Sequence, residues 1–242
     1  MEIATLSMPG AVLARGAGSS GFLELKPGAK AELNGSLTVG QRGTGTLLIE
    51  SGVNMFAEGR NPVIAGTEAG SQGNITVQGH LSDGLDPSGP GNSLVIGQRG
   101  TGELTVASGG SVFFSNLLVG QSDSDNRVLV NGPSHLLNAV ELRISTLAVI
   151  GDGGRGRLDV MGGATATANH LIVGRNSNAD SHVTIEAESV LNTTEQFVIG
   201  QNGTGTVTCQ GIFGFDGELL VGVSNNAQGR LDVTGSAARA RE

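Results

Sequence analysis

Apolar and polar residues alternate along this chain in runs of only four or five positions, and the runs recur. The pattern apolar, any, apolar, closed within a few residues by Gly, is met at Leu23/Leu25, Leu47/Ile49, Ile75/Val77, Leu104/Val106, Val128/Val130, Leu158/Val160, Val183/Ile185, Val207/Cys209 and Leu231/Val233. Successive first members lie 24, 28, 29, 24, 30, 25, 24 and 24 residues apart. A second landmark, an apolar residue followed by Gly, interleaves with the first at Val39, Ala65, Ile96, Val119, Ile150, Val173, Ile199 and Val221. Alternation of period two over so few residues, bounded by Gly, Asn, Ser or Asp, predicts short strands, and no stretch sustains a helical period. A unit of about two dozen residues holding two or three such strands predicts one rung of an all-β parallel β-solenoid. Nine rungs at the ~4.8 Å inter-strand spacing make a rod on the order of 40 Å long.

The longer spacings place extra residues in 79–93 and 132–146, which predicts two surface loops or extended strands on an otherwise minimal rod. Residues 1–20 read as an N-terminal cap or leader segment, 21–235 as the solenoid, and 236–242 as a tail at a truncation point, with the natural protein extending further.

Composition then narrows the functional classes. Gly supplies 41 of 242 residues, which fits a chain whose corners recur every rung. The formal charge of −8, with dispersed cations, argues against a face that neutralises nucleic-acid phosphates. Trp and Tyr are absent, so the usual stacking platforms for bases and sugars are missing. No apolar run is long enough to read as a membrane-spanning helix. The single cysteine, Cys209, has no internal disulfide partner.

The rung sequences themselves carry a resemblance. Residues 40–52 (GQRGTGTLLIESG) are repeated closely at 97–109 (GQRGTGELTVASG) and at 200–209 (GQNGTGTVTC), and alternate with a form seen at 70–79 (GSQGNITVQG). This resembles the type V secretion and PEP-CTERM-associated repeat of bacterial surface proteins, over roughly 21–235. The resemblance implies a right-handed, single-stranded parallel β-helix of about nine rungs from an autotransporter passenger or a related exported protein. It implies a bacterial cell-surface or extracellular location and a stalk or adhesin role, with a host, neighbouring-cell or matrix component, or the protein itself, as partner. The chain departs from the family pattern where a Trp often follows the second strand, having Leu81 or Leu136 instead, and it contains neither a translocator β-barrel nor a sorting helix.

Candidate chemistry is sparse. Gly151, Gly153 and Gly156 satisfy a G-x-G-x-x-G spacing, but they lead into the strand at Leu158 rather than a helix N-terminus, so a turn is expected and no cofactor. Asp123, Asp125, Asn126, Asn176, Asn178 and Asp180 lie in equivalent turns and could offer oxygens to calcium, yet Asp and Asn are favoured in turns anyway, and no metal is expected. The outward column between the apolar landmarks carries acids only at Glu24, Asp159 and Asp232, several rungs apart, so no catalytic dyad and no enzyme is expected. A polysaccharide-degrading enzyme is the third reading, after a self-assembling extracellular filament. His80, His135, His170 and His182 occupy different phases of the repeat. Cys209 shares an inward column with Ile49, Val106 and Val233 and reads as core. Neighbouring strand residues face opposite sides, so one of Phe113 and Phe114 should point outward. Phe113, Phe114, Phe213 and Phe215 are the expected partner-contact residues. Gln41, Gln98, Gln121 and Gln201 share the position after the landmark Gly and are expected to form a polar ladder that keeps the turns in register.

Overall fold

In a computed structural model, whose described residues are 4–58, 61–84, 92–122, 124–132, 140–234 and 239–241, the chain forms stacked parallel strands with no helix among those residues. One sheet has nine strands: β3 (Ser20–Leu25), β6 (Thr44–Ile49), β9 (Gln72–Val77), β12 (Thr101–Ala107), β14 (Asp125–Asn131), β16 (Arg155–Met161), β18 (Asp180–Ile185), β20 (Thr204–Cys209) and β23 (Gln228–Val233). Every neighbouring pair in it is parallel, which requires the chain to travel once around a coil between them. This is a β-solenoid of about eight turns between the first and last strands of that sheet.

The other sheet takes the remaining strand segments of each turn. Early turns use two short pieces: β1 (Ala4–Met8) with β2 (Ala11–Leu13), β4 (Ala29–Leu33) with β5 (Leu37–Val39), β7 (Asn54–Ala57) with β8 (Val63–Ala65), and β10 (His80–Ser82) with β11 (Ser93–Ile96). Middle turns fuse the two into β13 (Ser111–Val119), β15 (Glu141–Ile150), β17 (Thr165–Val173) and β19 (Val190–Ile199), with a register shift between Phe114 and Asn116, Ile144 and Leu147, and Ala168 and His170. The last described turns separate again into β21 (Ile212–Phe215), β22 (Glu218–Val221) and β24 (Arg239–Arg241). Since β1 pairs with β4 and β2 with β5, the parallel ladder already runs through the segment that the repeat marks only as a cap. The centres of the two long-spacing segments, 85–91 and 133–139, lie outside the described residues.

Side-chain alternation sets the core. Leu47, Ile75, Leu104, Val128, Leu158, Val183 and Val207 stack in one inward column, with Ile49, Val77, Val106, Val130, Val160, Ile185 and Cys209 in the next, and all are buried. Each such aliphatic side chain contributes on the order of 2 kcal/mol by leaving water. The corners are held by the main chain. Thr67 N donates to Gly40 O at 3.0 Å, Gln98 N to Gly66 O at 2.9 Å, Gln121 N to Gly97 O at 3.0 Å and Gln201 N to Gly174 O at 2.9 Å. One corner leaves no room for side chains: a Cβ on Gly73 would collide with the backbone of Val39, Ala65 and Gly66. Where the matching position is Asn126, the side chain turns into that space and its Oδ1 accepts from Gly102 N at 2.7 Å.

At the register shift in β13 the ladder leaves Ser115 N unpaired with a neighbouring strand. The buried Asp83 carboxylate takes over, accepting from Ser115 N and from Ser115 Oγ, each at 2.9 Å. A β-bulge is thereby satisfied from the turn before it.

Candidate functional site

The outward face of the nine-stranded sheet is rich in Thr, and more than half of its charged residues gather on β14, β16 and β18. Period-two alternation puts Asp125, Arg127 and Leu129 outward on β14, Arg155, Arg157 and Asp159 on β16, and Asp180, His182 and Thr184 on β18. The ladder aligns these three by three, with Arg127 opposite Arg157 and Arg157 opposite His182. Asp125, Arg155 and Asp180 line up in the column beside them.

Asp159 should be exposed by its position, but only 1% of its side chain is accessible. Two arginines from adjoining rungs fold over it. Arg127 Nε donates to Asp159 Oδ2 at 2.8 Å, and Arg157 Nε approaches both Oδ1 and Oδ2 at 2.8 Å. The arginine side chains remain 41% and 55% exposed, so their outer edges face solvent. Beside them Arg155 Nη1 meets Asp125 Oδ1 at 3.3 Å in an open pair of the kind that contributes little stability. Asp125, Arg127, Arg155, Arg157, Asp180 and His182 line a surface groove of about 410 Å³. Chemically, this is a fixed pair of guanidinium donors next to two exposed carboxylate acceptors.

A smaller groove of about 310 Å³ lies on the other sheet around His80, Ser111, Phe113, Glu141 and Arg143. His80 Nδ1 is 2.8 Å from Ser111 Oγ, and its ring meets Phe56 edge-on at 6.0 Å. Burial holds the His80 imidazole below the ordinary value of 6.5. The native state therefore binds fewer protons than the unfolded chain at and just below that pH, and its stability falls as the pH drops through 6.5. We expect the urea midpoint to fall between about pH 7.5 and 5.5, and the fall to be smaller in His80→Gln. Equal pH slopes in the two proteins would show that His80 does not carry the effect.

The residues singled out by sequence are dispersed. Phe114 and Phe213 are fully buried, and neither can be the contact surface expected of them. Phe213 meets Phe197 of the previous turn at 4.9 Å with the rings tilted, and Phe215, two residues on in the same strand, packs at 5.6 Å on Phe213. Phe113 does point outward, half-buried, with the Arg143 guanidinium 5.4 Å from its ring centre. The four glutamines do not form a continuous ladder. Thr67, Asp152 and Arg175 occupy the intervening rungs, and among these glutamine side chains Gln121 alone is bonded, to Asp152 Oδ2 at 3.3 Å. Register at this corner comes from the main-chain bonds given above.

Asp152 sits in a corner network instead of a nucleotide turn: Arg175 pairs with it, Asn176 donates to it, and the glycines around it lead into β16. Of the calcium candidates, Asp125 pairs with Arg155, Asn126 bonds Gly102 N and Ser124 O, and Asn176 bonds Asp152, while Asn178 and Asp180 are exposed and Asp123 lies outside the described residues. His170 pairs with Glu195 at 2.7 Å, His182 borders the arginine groove, and His135 lies outside the described residues.

Cys209 is fully buried, and burial pushes its thiol pKa up. We expect it to stay unmodified by a thiol reagent in the native protein and to react at once in denaturant. Rapid native labelling would place the thiol at an accessible surface.

The arginine groove is invisible in any single outward column of the repeat, because it forms between columns. Part of its signal lies in the column beside that of Asp159, where Arg127, Arg157 and His182 fall on three successive rungs. Comparison with known proteins returned no matching family model, no matching curated protein and no matching solved structure.

Proposed function

We propose that this chain is a structural and adhesive length of β-solenoid from an exported bacterial surface protein, of the autotransporter-passenger kind. The observation that carries this reading is the unbroken parallel ladder of the nine-stranded sheet, with charge gathered on three successive rungs of one outer face. A coil of that kind projects a surface at a fixed distance while its rungs template one another. The rung resemblance at 40–52, 97–109 and 200–209 supplies the exported, cell-surface part of the proposal.

The test is accessibility on intact cells of the source organism. An antibody raised against the chain should label unbroken cells, and brief external protease should remove the label. Labelling that appears only after lysis would overturn the surface role.

A further inference from the structure

We propose that the groove over β14, β16 and β18 binds a sugar acid, its carboxylate on Arg127 and Arg157 and its ring hydroxyls on Asp125 and Asp180. For its biological use this rests on the adhesive reading above, but the site itself stands on the groove.

The arginine pair is preorganised. Asp159 takes the Nε–H of both guanidinium groups at 2.8 Å from beneath and is 1% exposed, so the two side chains lose little further freedom when a ligand arrives. The terminal amino groups retain donors in a planar fork suited to a carboxylate. One carboxylate under two guanidinium groups leaves a local surplus of positive charge at the surface.

The neighbouring column decides which anion. Asp125 and Asp180 flank Arg155 within the same groove and are exposed, and the three arginines and three aspartates cancel in formal charge. A polyphosphate or a densely sulfated chain would be repelled by these carboxylates. A ring bearing one carboxylate and several hydroxyls would not, because ionised carboxylates accept hydrogen bonds from hydroxyl donors. The cavity of about 410 Å³ is in the range of small-molecule sites. Three rungs span roughly 10 Å, the scale of one or two sugar rings.

The experiment is calorimetric titration of the whole chain with a galacturonate trisaccharide, its methyl ester, a sialylated trisaccharide and inorganic sulfate. The two acidic sugars separate a polyuronate source from a sialylated glycan, and saturable binding of either, with sulfate weaker, supports the site. The ester should bind at least about tenfold more weakly than the free acid, and Arg157→Gln should lose about tenfold, as expected for a charge-assisted contact. Asp180→Asn should weaken the sugar acid and leave sulfate no weaker, while Arg42→Gln, far from the groove, should change nothing. If Arg157→Gln fails to fold, the exposed Asp180→Asn carries the comparison. Absence of binding by both acidic sugars, equal binding of the ester, or sulfate binding as tightly as the sugars would overturn the proposal. Since none of these readouts depends on where the protein resides, failure here is separable from failure of the surface labelling.

Discussion

Phe114→Ala should destabilise the protein by about 3–5 kcal/mol, while Phe113→Ala, one residue away, should cost about 1 kcal/mol or less. The contrast follows from alternation on β13. Phe114 is wholly enclosed between the inward columns, and its removal leaves a cavity that neighbouring rungs cannot close without breaking their own ladders. Phe113 lies on the outer face under Arg143, so truncating it loses a ring contact but opens no hole. Urea unfolding of the two variants checks this. Equal losses would mean that the two faces of β13 have been assigned wrongly.

Gly73→Ala should cost about 3 kcal/mol, far more than an ordinary Gly→Ala change in a strand. The added methyl has no flexible neighbour to displace. It would strike the carbonyl oxygen of Val39 and the amide nitrogen of Gly66, and would sit 2.8 Å from the carbonyl carbon of Ala65. Those are backbone atoms of the corner, held by Gly66 N donating to Val39 O at 2.9 Å and Gly97 N donating to Ala65 O at 2.8 Å, so relief requires two rungs to separate. Gly52→Ala makes a useful companion, because its Cβ would meet nothing within 4 Å and any cost there comes from its φ of +78° alone. Solenoid turns contact chiefly their neighbours, so hydrogen exchange in Gly73→Ala should rise first around β6, β9 and β12. Uniform acceleration along the chain would argue against this local origin.

The strands of the nine-stranded sheet were legible in the sequence because each carries two inward apolar residues at fixed spacing beside a landmark Gly. Leu47 and Ile49, for example, mark β6 without ambiguity. The remaining strand segments were less visible. β4 reads AKAEL, whose apolar members are small and whose outward Lys30 and Glu32 pair with each other at 2.6 Å, so its hydrophobic contrast is weak. The split of Phe113 from Phe114 could be read from period two alone. The burial of Phe213 could not, since it depends on the Phe197 ring of the previous turn tilting against it from a neighbouring position. The glutamines misled for a related reason: a position shared by several repeats is not a set of adjacent positions, and Thr67 stands between Gln41 and Gln98 while Asp152 and Arg175 stand between Gln121 and Gln201. The arginine groove depends on contacts between columns, and a pattern followed down a single column has no access to them.

The main-chain bonds that hold the corners, from Thr67 to Gly40 through Gln201 to Gly174, all run from one turn to the next. Tension applied along the coil therefore loads the inter-turn bonds directly, and the turn at the free end yields before those behind it. Each turn released exchanges a rise of ~4.8 Å for roughly 80 Å of extended chain. A tether made of such turns would lengthen in discrete steps under a pull and dissipate work at every step, with the turns not yet released keeping their grooves intact.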